Sequence, residues 1–498
     1  MQSRNRKANA LQSMLGIFFQ SAHTPQKVIE TLARIGISIS TETINAAVRS
    51  LSIESANKLR TLGQSLLAAY AYDNFDVDLK SHVPTAEKSN DSLKHMTSGL
   101  LFPLVHGTTP DDLKCAEELW EKSPLNPSAD EGLQSKRTWR DLLSIHPEPR
   151  GSNSLSRRDQ FNSWMFLKDL CSYGPDYFRS SINELTEPEV VDEIPLVRTE
   201  ITAARAMDVN NSSVSGNIQA VIELLRQGGI YDPAEIAAGS LDAPDISQHV
   251  VLVHGDLGTG ERIQAVQSRR AIENTPWNQF RHIQFIPGLF HMKMACAEAL
   301  WRCFIQPPAA REDETSLMYD ISTLRPKETG LFCTKPGFRR THQLIGHAGI
   351  CRRLDCWRVH VKKMGFESLD AFAASTPTLD EVKAMANDLA ETYVAQYQLH
   401  FVKQKPERER DVQHENALLM QRYFLLYEEL SHAMNQGDIG RVETCIVQWI
   451  PILKAVGKHK YATHMTNFLI NVHFVYPTQL QCCVDITRPF QMRLITNV

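Results

Sequence analysis

The stretch His249–Phe304 reads HVVLVHGDLGTGERIQAVQSRRAIENTPWNQFRHIQFIPGLFHMKMACAEALWRCF, and it decides the fold. Its β-branched apolar run, Val250–Val253, predicts a strand that stops at His254-Gly255-Asp256. A glycine-bearing turn follows, then a helical pattern from about Glu261 to Glu273. A second short strand, His282–Ile286, breaks at Pro287-Gly288, and Phe290–Phe304 has apolar residues at helical spacing. Strand, turn, helix, strand, helix is the grammar of an α/β core. Asp256 falls where the first strand stops, the edge at which open α/β sheets place their ligands.

The rest of the chain sets the limits. With 498 residues, 42% hydrophobic and 22% charged, it has core enough for several domains. A formal charge of −4 gives no bulk attraction to nucleic acid, so any basic surface must be local. The longest apolar runs, such as Ile446–Val456, are too short and interrupted to cross a bilayer. The basic-then-apolar N-terminus has no small-residue cleavage site. Ten scattered cysteines, adjacent only at Cys482-Cys483, suit a reducing compartment better than a disulfide framework. The expectation is an intracellular protein, nuclear or cytoplasmic, with no membrane association and no small-molecule cofactor.

Working outward, residues 1–62 read as helical. Thr24-Pro25 forms an N-cap and first-turn pair, with Val28, Ile29, Leu32 and Ile35 as a stripe and Gly36 as a stop. Ser40 or Thr41 caps a second helix facing inward through Ile44, Ala47, Val48 and Leu51. The layout matches a DNA-binding helix-turn-helix but suits an ordinary helical hairpin better, since Arg49 is the second helix's one obvious phosphate partner. Residues 63–108 supply the first part of the α/β core. In them an apolar run ends at Asp73-Asn74, with Asp76 and Asp78 behind, and Met96–Val105 is a second strand. Such an ending is either a strand tip offering carboxylates or an Asx turn. Residues 109–239 lack sheet alternation and read as a mainly helical insertion, including the capped helix in SSVSGNIQAVIELLRQGG. The core resumes over 240–306, and 307–475 is predominantly helical. Residues 476–498 show neither caps nor periodicity, as in a truncated or altered end.

Five constellations carry chemistry. Asp73 and Asp256 at neighbouring strand ends could hold Mg²⁺ for an in-line phosphoryl displacement, with Glu261, Glu273, Glu298, Glu415, Glu428 or Glu429 as unselected third acids. Alternatively the aspartates serve turns and caps. The glycines of Gly255–Arg262 precede a helix but match neither phosphate-binding fingerprint. His291, after the second strand, either joins the Asp256 edge or caps its helix. His342, His347, Cys351 and Cys356, with Cys333 upstream, are zinc-ligand types at a spacing that fits no common finger. Arg269-Arg270, Arg339-Arg340, Arg352-Arg353 and Lys362-Lys363, interleaved with Phe338 and Trp357, suit a nucleic-acid surface or a solvated helix face.

The central stretch, with AYDNFDVD, HMTSGLLFPL, NNSSVSGNIQAVIELLRQGGI, LRPKE, KPGFRRTHQLIGHAGICRRLDCWRV and GDIGRVE, resembles a large fungal family catalogued as domain of unknown function 6589. The resemblance runs from about residue 10 to about 470 and implies no known activity. The order strand, Asp256, helix, strand, His291, helix also resembles the core of RNase H-like transposases, in which helical insertions are common. That likeness implies a mixed α+β protein: an RNase H-like α/β core with large helical insertions and a mostly helical C-terminal half. It implies Asp73 and Asp256 as metal ligands with His291 accessory, Mg²⁺ as cofactor, DNA as partner and strand cleavage or transfer as activity. No third acid stands at a defensible place, so the expectation spans an active metal-dependent nuclease and a copy whose activity is degenerate. The rival expectation is a non-catalytic scaffold on the same fold.

Overall fold

A computed structural model describes residues 9–78, 93–129, 137–148, 155–195, 197–239, 243–313, 315–394, 404 and 406–487. In chain order, the helices of ten residues or more and the strands begin with α1 (Ala10–Ser21), α2 (Gln26–Ile35), α3 (Thr41–Gln64), β1 (Ala68–Asp78) and β2 (Leu93–Pro103). Then come α4 (Arg157–Tyr173), β3 (Thr202–Ala203), α5 (Val214–Gln227), β4 (Val251–Gly255), α6 (Leu257–Arg270), β5 (Ile283–Pro287) and α7 (Leu289–Phe304). The remainder is helical: α8 (Phe338–Lys363), α9 (Leu379–Tyr393), α10 (Val412–Gln436), α11 (Ile439–Ala455), α12 (His459–Ile470) and α13 (Thr478–Thr487). The fold is therefore mixed α+β, with five strands and a mostly helical remainder. Among the described residues no helix is long and apolar enough to cross a membrane.

The chain divides into two compact units. One comprises Met1–Trp120, Leu125–Pro127 and Thr199–Phe285; the other comprises Glu121–Pro124, Ser128–Arg198 and Ile286–Val498. The sheet has the order β3-β2-β1-β4-β5. β1 runs antiparallel to β2 from Ala68↔Pro103 to Asp78↔Leu93 and parallel to β4 at Tyr70↔Val253 and Ala71↔His254. β3 adds antiparallel to β2 at Leu100↔Ala203 and Leu101↔Thr202.

Alternation explains what the first unit buries. Tyr70 and Tyr72 of β1, Leu101 of β2 and Val251 and Val253 of β4 share one core with α5 (Ala220, Val221, Leu224, Leu225) and α6 (Ile263, Val266). Each such aliphatic side chain withdrawn from water contributes about 1.5–3 kcal/mol. Two glycines permit the closest approaches. A Cβ on Gly63 of α3 would stand 2.1 Å from the Gly228 carbonyl oxygen, and one on Gly260 of α6 would stand 2.3 Å from the Phe285 ring.

The second unit mixes hydrocarbon with buried charge. Phe166, Leu167 and Leu170 of α4 pack with Trp357 and Val361 of α8, Met385, Ala386 and Leu389 of α9, and Leu425 of α10. Arg353 sits fully buried among them, its Nε 2.6 Å from Asp169 and its Nη1 2.6 Å from Glu428. Arg441 is likewise buried, 2.9 Å from Glu429 and 3.3 Å from Asp438.

Several expectations change. α2 begins at Gln26 with Pro25 as its N-cap, so the Thr24-Pro25 pair lies one residue earlier than a helix start requires. Ile29 and Ile44 are buried, but Val28, Ile35, Val48 and Leu51 are exposed, because the local core reaches only Ile29, Ile39 and Ile44 with Ile17 and Phe19 against them. Gly36 does take the left-handed conformation at φ 83°, and Ser40 caps α3 by accepting from the Thr43 N–H. β1 does not end at Asp73; β2 carries it on to Asp78, with Asp76 paired to His95 at 2.6 Å across the rung. β3 lies inside the stretch that shows no alternation, because a strand of two residues has no period to display. Part of the expected irregular tail is helix, Thr478–Thr487; residues 488–498 lie outside the described ones.

Candidate active site

Asp73 lies within β1 and is exposed; its Oδ1 accepts the Asn74 N–H at 2.8 Å. Asp256 follows β4 directly and is the N-cap of α6, its Oδ1 accepting the Thr259 N–H at 2.7 Å. That bond satisfies one of the helix's orphan donors and fixes the carboxylate at the strand's exit. The parallel ladder between β1 and β4 pairs Ala71 with His254. Carried two residues past that last paired rung, the register would set Asp73 level with Asp256, which itself lies just beyond β4. Strand alternation puts Asp73 on the face opposite Tyr72, the face on which the buried His254 ring lies 5.3 Å from Phe102.

Beneath this edge is a polar network. Tyr72 donates its hydroxyl to Asn217 Oδ1 at 2.8 Å, and the Asn217 amide donates to the carbonyls of Asn211 and Ser213. Burial holds the Tyr72 hydroxyl well above its ordinary range; Arg262 opposes that shift and Asp256 adds to it. The glycines of the adjoining turn have a packing cause. Gly260 admits the Phe285 ring, and none of Gly255, Gly258 and Gly260 has a positive φ.

His291 stands in the first turn of α7, partly buried, with its ring 6.0 Å from Phe290. It does not cap the helix; Gly288 occupies that position without a side-chain bond. His291 belongs to the other unit from Asp73 and Asp256. Four of the candidate third acids are engaged with cations. Glu298 meets Arg302, Lys335 and Lys458; Glu415 meets Arg410; Glu428 meets Arg353; and Glu429 meets Arg158 and Arg441.

The His/Cys group is dispersed. His342 Nδ1 lies 2.9 Å from the Tyr427 hydroxyl, with burial and then Lys293 pushing its pKa down to about 4. His347 lies 3.3 Å from Arg325, Cys351 is exposed, and Cys356 packs against the α4/α8 core. One long helix spreads these four residues around its circumference. Two of the basic clusters are also partly structural. Arg353 is buried and Arg352 pairs with Asp320 at 2.7 Å, while Arg270 donates to the Asn278 carbonyl and covers the Phe280 ring. Trp357 is fully buried and donates to the Phe166 carbonyl, so it offers no stacking face.

The structure brings together a group that no spacing announced. His146, just after the turn Asp141–Ser144, Glu443 of α11 and His473 of the π-helical turn Asn471–Val475 present ligand atoms within 4.8 Å of one another. The histidines lie 327 residues apart in sequence (473 − 146), one in SIHPEP and one in NVHFVYP, neither with a second ligand type at a metal spacing.

A family model described as a family of unknown function, DUF6589, matches residues 134–485. The chain belongs to DUF6589. The match begins later than the expected residue 10 or so, leaving Asp73 outside it and taking in Asp256, His291, His146, Glu443 and His473. Comparison with curated proteins and with solved structures gives no match for this DUF6589 chain.

Proposed function

We propose that the sheet-bearing unit is an RNase H-like core in a transposon-derived, DNA-binding protein. In this reading Asp73 and Asp256 hold Mg²⁺ for cleavage or joining of DNA strands. One observation supports it: in a sheet of order β3-β2-β1-β4-β5, the parallel register that pairs Ala71 with His254 leads, two residues on, to Asp73 and to Asp256 just past the end of β4. A backbone N–H holds one oxygen of each, Asn74 for Asp73 and Thr259 for Asp256, which fixes the carboxylates in place. A shared divalent ion would polarise a phosphodiester and lower the pKa of the attacking water or hydroxyl. His291 stands in the other unit and adds nothing to this support.

A second reading has its own observation. Asp256 caps α6, and a cap alone justifies an aspartate there. On that view the unit is a non-catalytic scaffold. The variant Asp256→Asn separates the two, because asparagine caps about as well as aspartate but is a poor ligand for a hard cation. Calorimetric Mn²⁺ titration of the full chain is expected to lose the wild-type binding event in Asp256→Asn and Asp73→Asn, with the melting temperature in the absence of metal unchanged. Equal Mn²⁺ affinity in wild type and both variants would remove the catalytic reading.

A further inference from the structure

We infer that His146, Glu443 and His473 form a binding site for a divalent transition metal, with zinc as its first occupant. It is separate from the proposed Mg²⁺ pair and does not depend on that reading.

The two imidazoles converge on one atom. His146 Nε2 and His473 Nε2 each lie 2.7 Å from the same oxygen, Glu443 Oε2. Their rings meet edge to face with centroids 5.7 Å apart and planes at 89°, with both Nε2 atoms on that one oxygen. The side chains are sheltered, with exposures of 16% for His146, 3% for Glu443 and 12% for His473. Both imidazoles that meet Glu443 carry a positive charge only when protonated, so as neutral rings they can serve as metal ligands.

Two imidazole nitrogens and a carboxylate oxygen are the donor set of catalytic zinc sites, which keep a fourth position for water or substrate. Neighbouring ligands around tetrahedral zinc, at about 2.0–2.1 Å from the ion, stand roughly 3.3 Å apart. The two 2.7 Å separations therefore need to open by roughly half an ångström, within the reach of side-chain rotation. Binding requires both Nε2 atoms unprotonated, with each ring's proton on Nδ1.

The scaffold supports fixed ligands. α11 is capped by Asp438, whose carboxylate also accepts the N–H groups of Val191, Asp192 and Arg441. His473 sits in a π-helical turn, a rare irregularity that re-aims side chains and is common at functional sites.

The test uses the full-length chain, stripped with chelator, reloaded with Zn²⁺ and desalted. Wild type is expected to retain one zinc per chain by mass spectrometry of the metal and to melt at a higher temperature when loaded. His146→Gln and His473→Gln, each checked for an unchanged circular dichroism spectrum, are expected to weaken Zn²⁺ binding by at least about 100-fold. Glu443 is left intact in both because its burial makes loss of folding a confounding result. Co²⁺ loading is expected to give visible bands of a tetrahedral nitrogen and oxygen site without a thiolate charge-transfer band. Zinc retained equally by wild type and the double variant His146→Gln/His473→Gln would overturn the proposal. So would a thiolate band, which would assign the metal to cysteine, or no retention by wild type.

Discussion

The two units solve the problem of acidic residues in opposite ways. In the sheet-bearing unit the core is hydrocarbon and tyrosine, and Asp73, Asp76 and Asp78 are left on an exposed strand. In the helical unit, Asp169, Glu428, Glu429 and Asp438 are drawn inside and matched to Arg353, Arg158 and Arg441. A buried carboxylate facing arginine is explained by its partner, because the alternative is an uncompensated charge in a poorly polarisable interior. Asp73 and Asp256 on the sheet edge are held by backbone N–H groups, and Glu443 meets two imidazoles. Those are the places to look for chemistry.

The largest expected effect tests the helical side of this contrast. Arg353→Ala strands Asp169 and Glu428, whose carboxyls burial already pushes upward against the pull of Arg353, and should cost about 3–5 kcal/mol in denaturant unfolding. A loss under about 1 kcal/mol would mean that water reaches these groups and that the contrast is overdrawn.

The sheet unit should show its own dependence on pH through His282, which stacks on Trp277 at 4.6 Å and is held by burial at a pKa of about 3. The folded imidazole stays neutral while the unfolded one takes up a proton below its ordinary 6.5. Stability should therefore fall as pH drops from 6.5 toward 3, at up to about 1.4 kcal/mol per pH unit. Urea unfolding of His282→Phe at several pH values should show a shallower slope in that window. An identical slope would place the acid sensitivity elsewhere.

Gly260→Ala comes next. Its methyl would strike the Phe285 ring, and a loss of about 1–3 kcal/mol in thermal unfolding is expected, partly restored by adding Phe285→Leu. No loss would reopen a ligand-binding role for the glycine turn. The smallest effect is assigned to Asp76→Asn. The pair with His95 is more than half exposed, so the melting temperature should be unchanged at moderate salt. A clear drop would show that side chains, rather than the backbone ladder, extend β1 beyond Asp73.

The sequence made the β4–α6–β5–α7 run legible because β-branched runs and helical apolar spacing are local signals, and they place Asp256 within one residue of its strand. The helix Leu379–Tyr393, within the stretch read as predominantly helical, is closed at its start by a capping box of Thr378 and Glu381. β3 was hidden because two residues carry no period. The continuation of β1 past Asp73 was hidden because its pairing partner, not its own composition, makes it a strand. The aspartate register needed the ladder between residues more than 180 positions apart. The His146–Glu443–His473 group needed the packing of α11 and α12, although GDIGRVE, which ends at Glu443, stands among the family's recognisable pieces.

The unequal lengths of the strands have a consequence of their own. β1 and β2 pair over eleven rungs, but β4 joins β1 at Tyr70 and Ala71, and the last backbone bridge of β2 to its other flank is Thr97 to Met207, with Lys94 reaching Asp208 beyond it. From Phe75 and Met96 outward, β1 and β2 thus form a two-stranded arm whose rims pair with no further strand among the described residues. Bare rims of that kind invite a stray chain to add itself. Asp76, Asp78, Lys94 and His95 decorate this arm with charge and polar bulk, the usual deterrent to fibre growth.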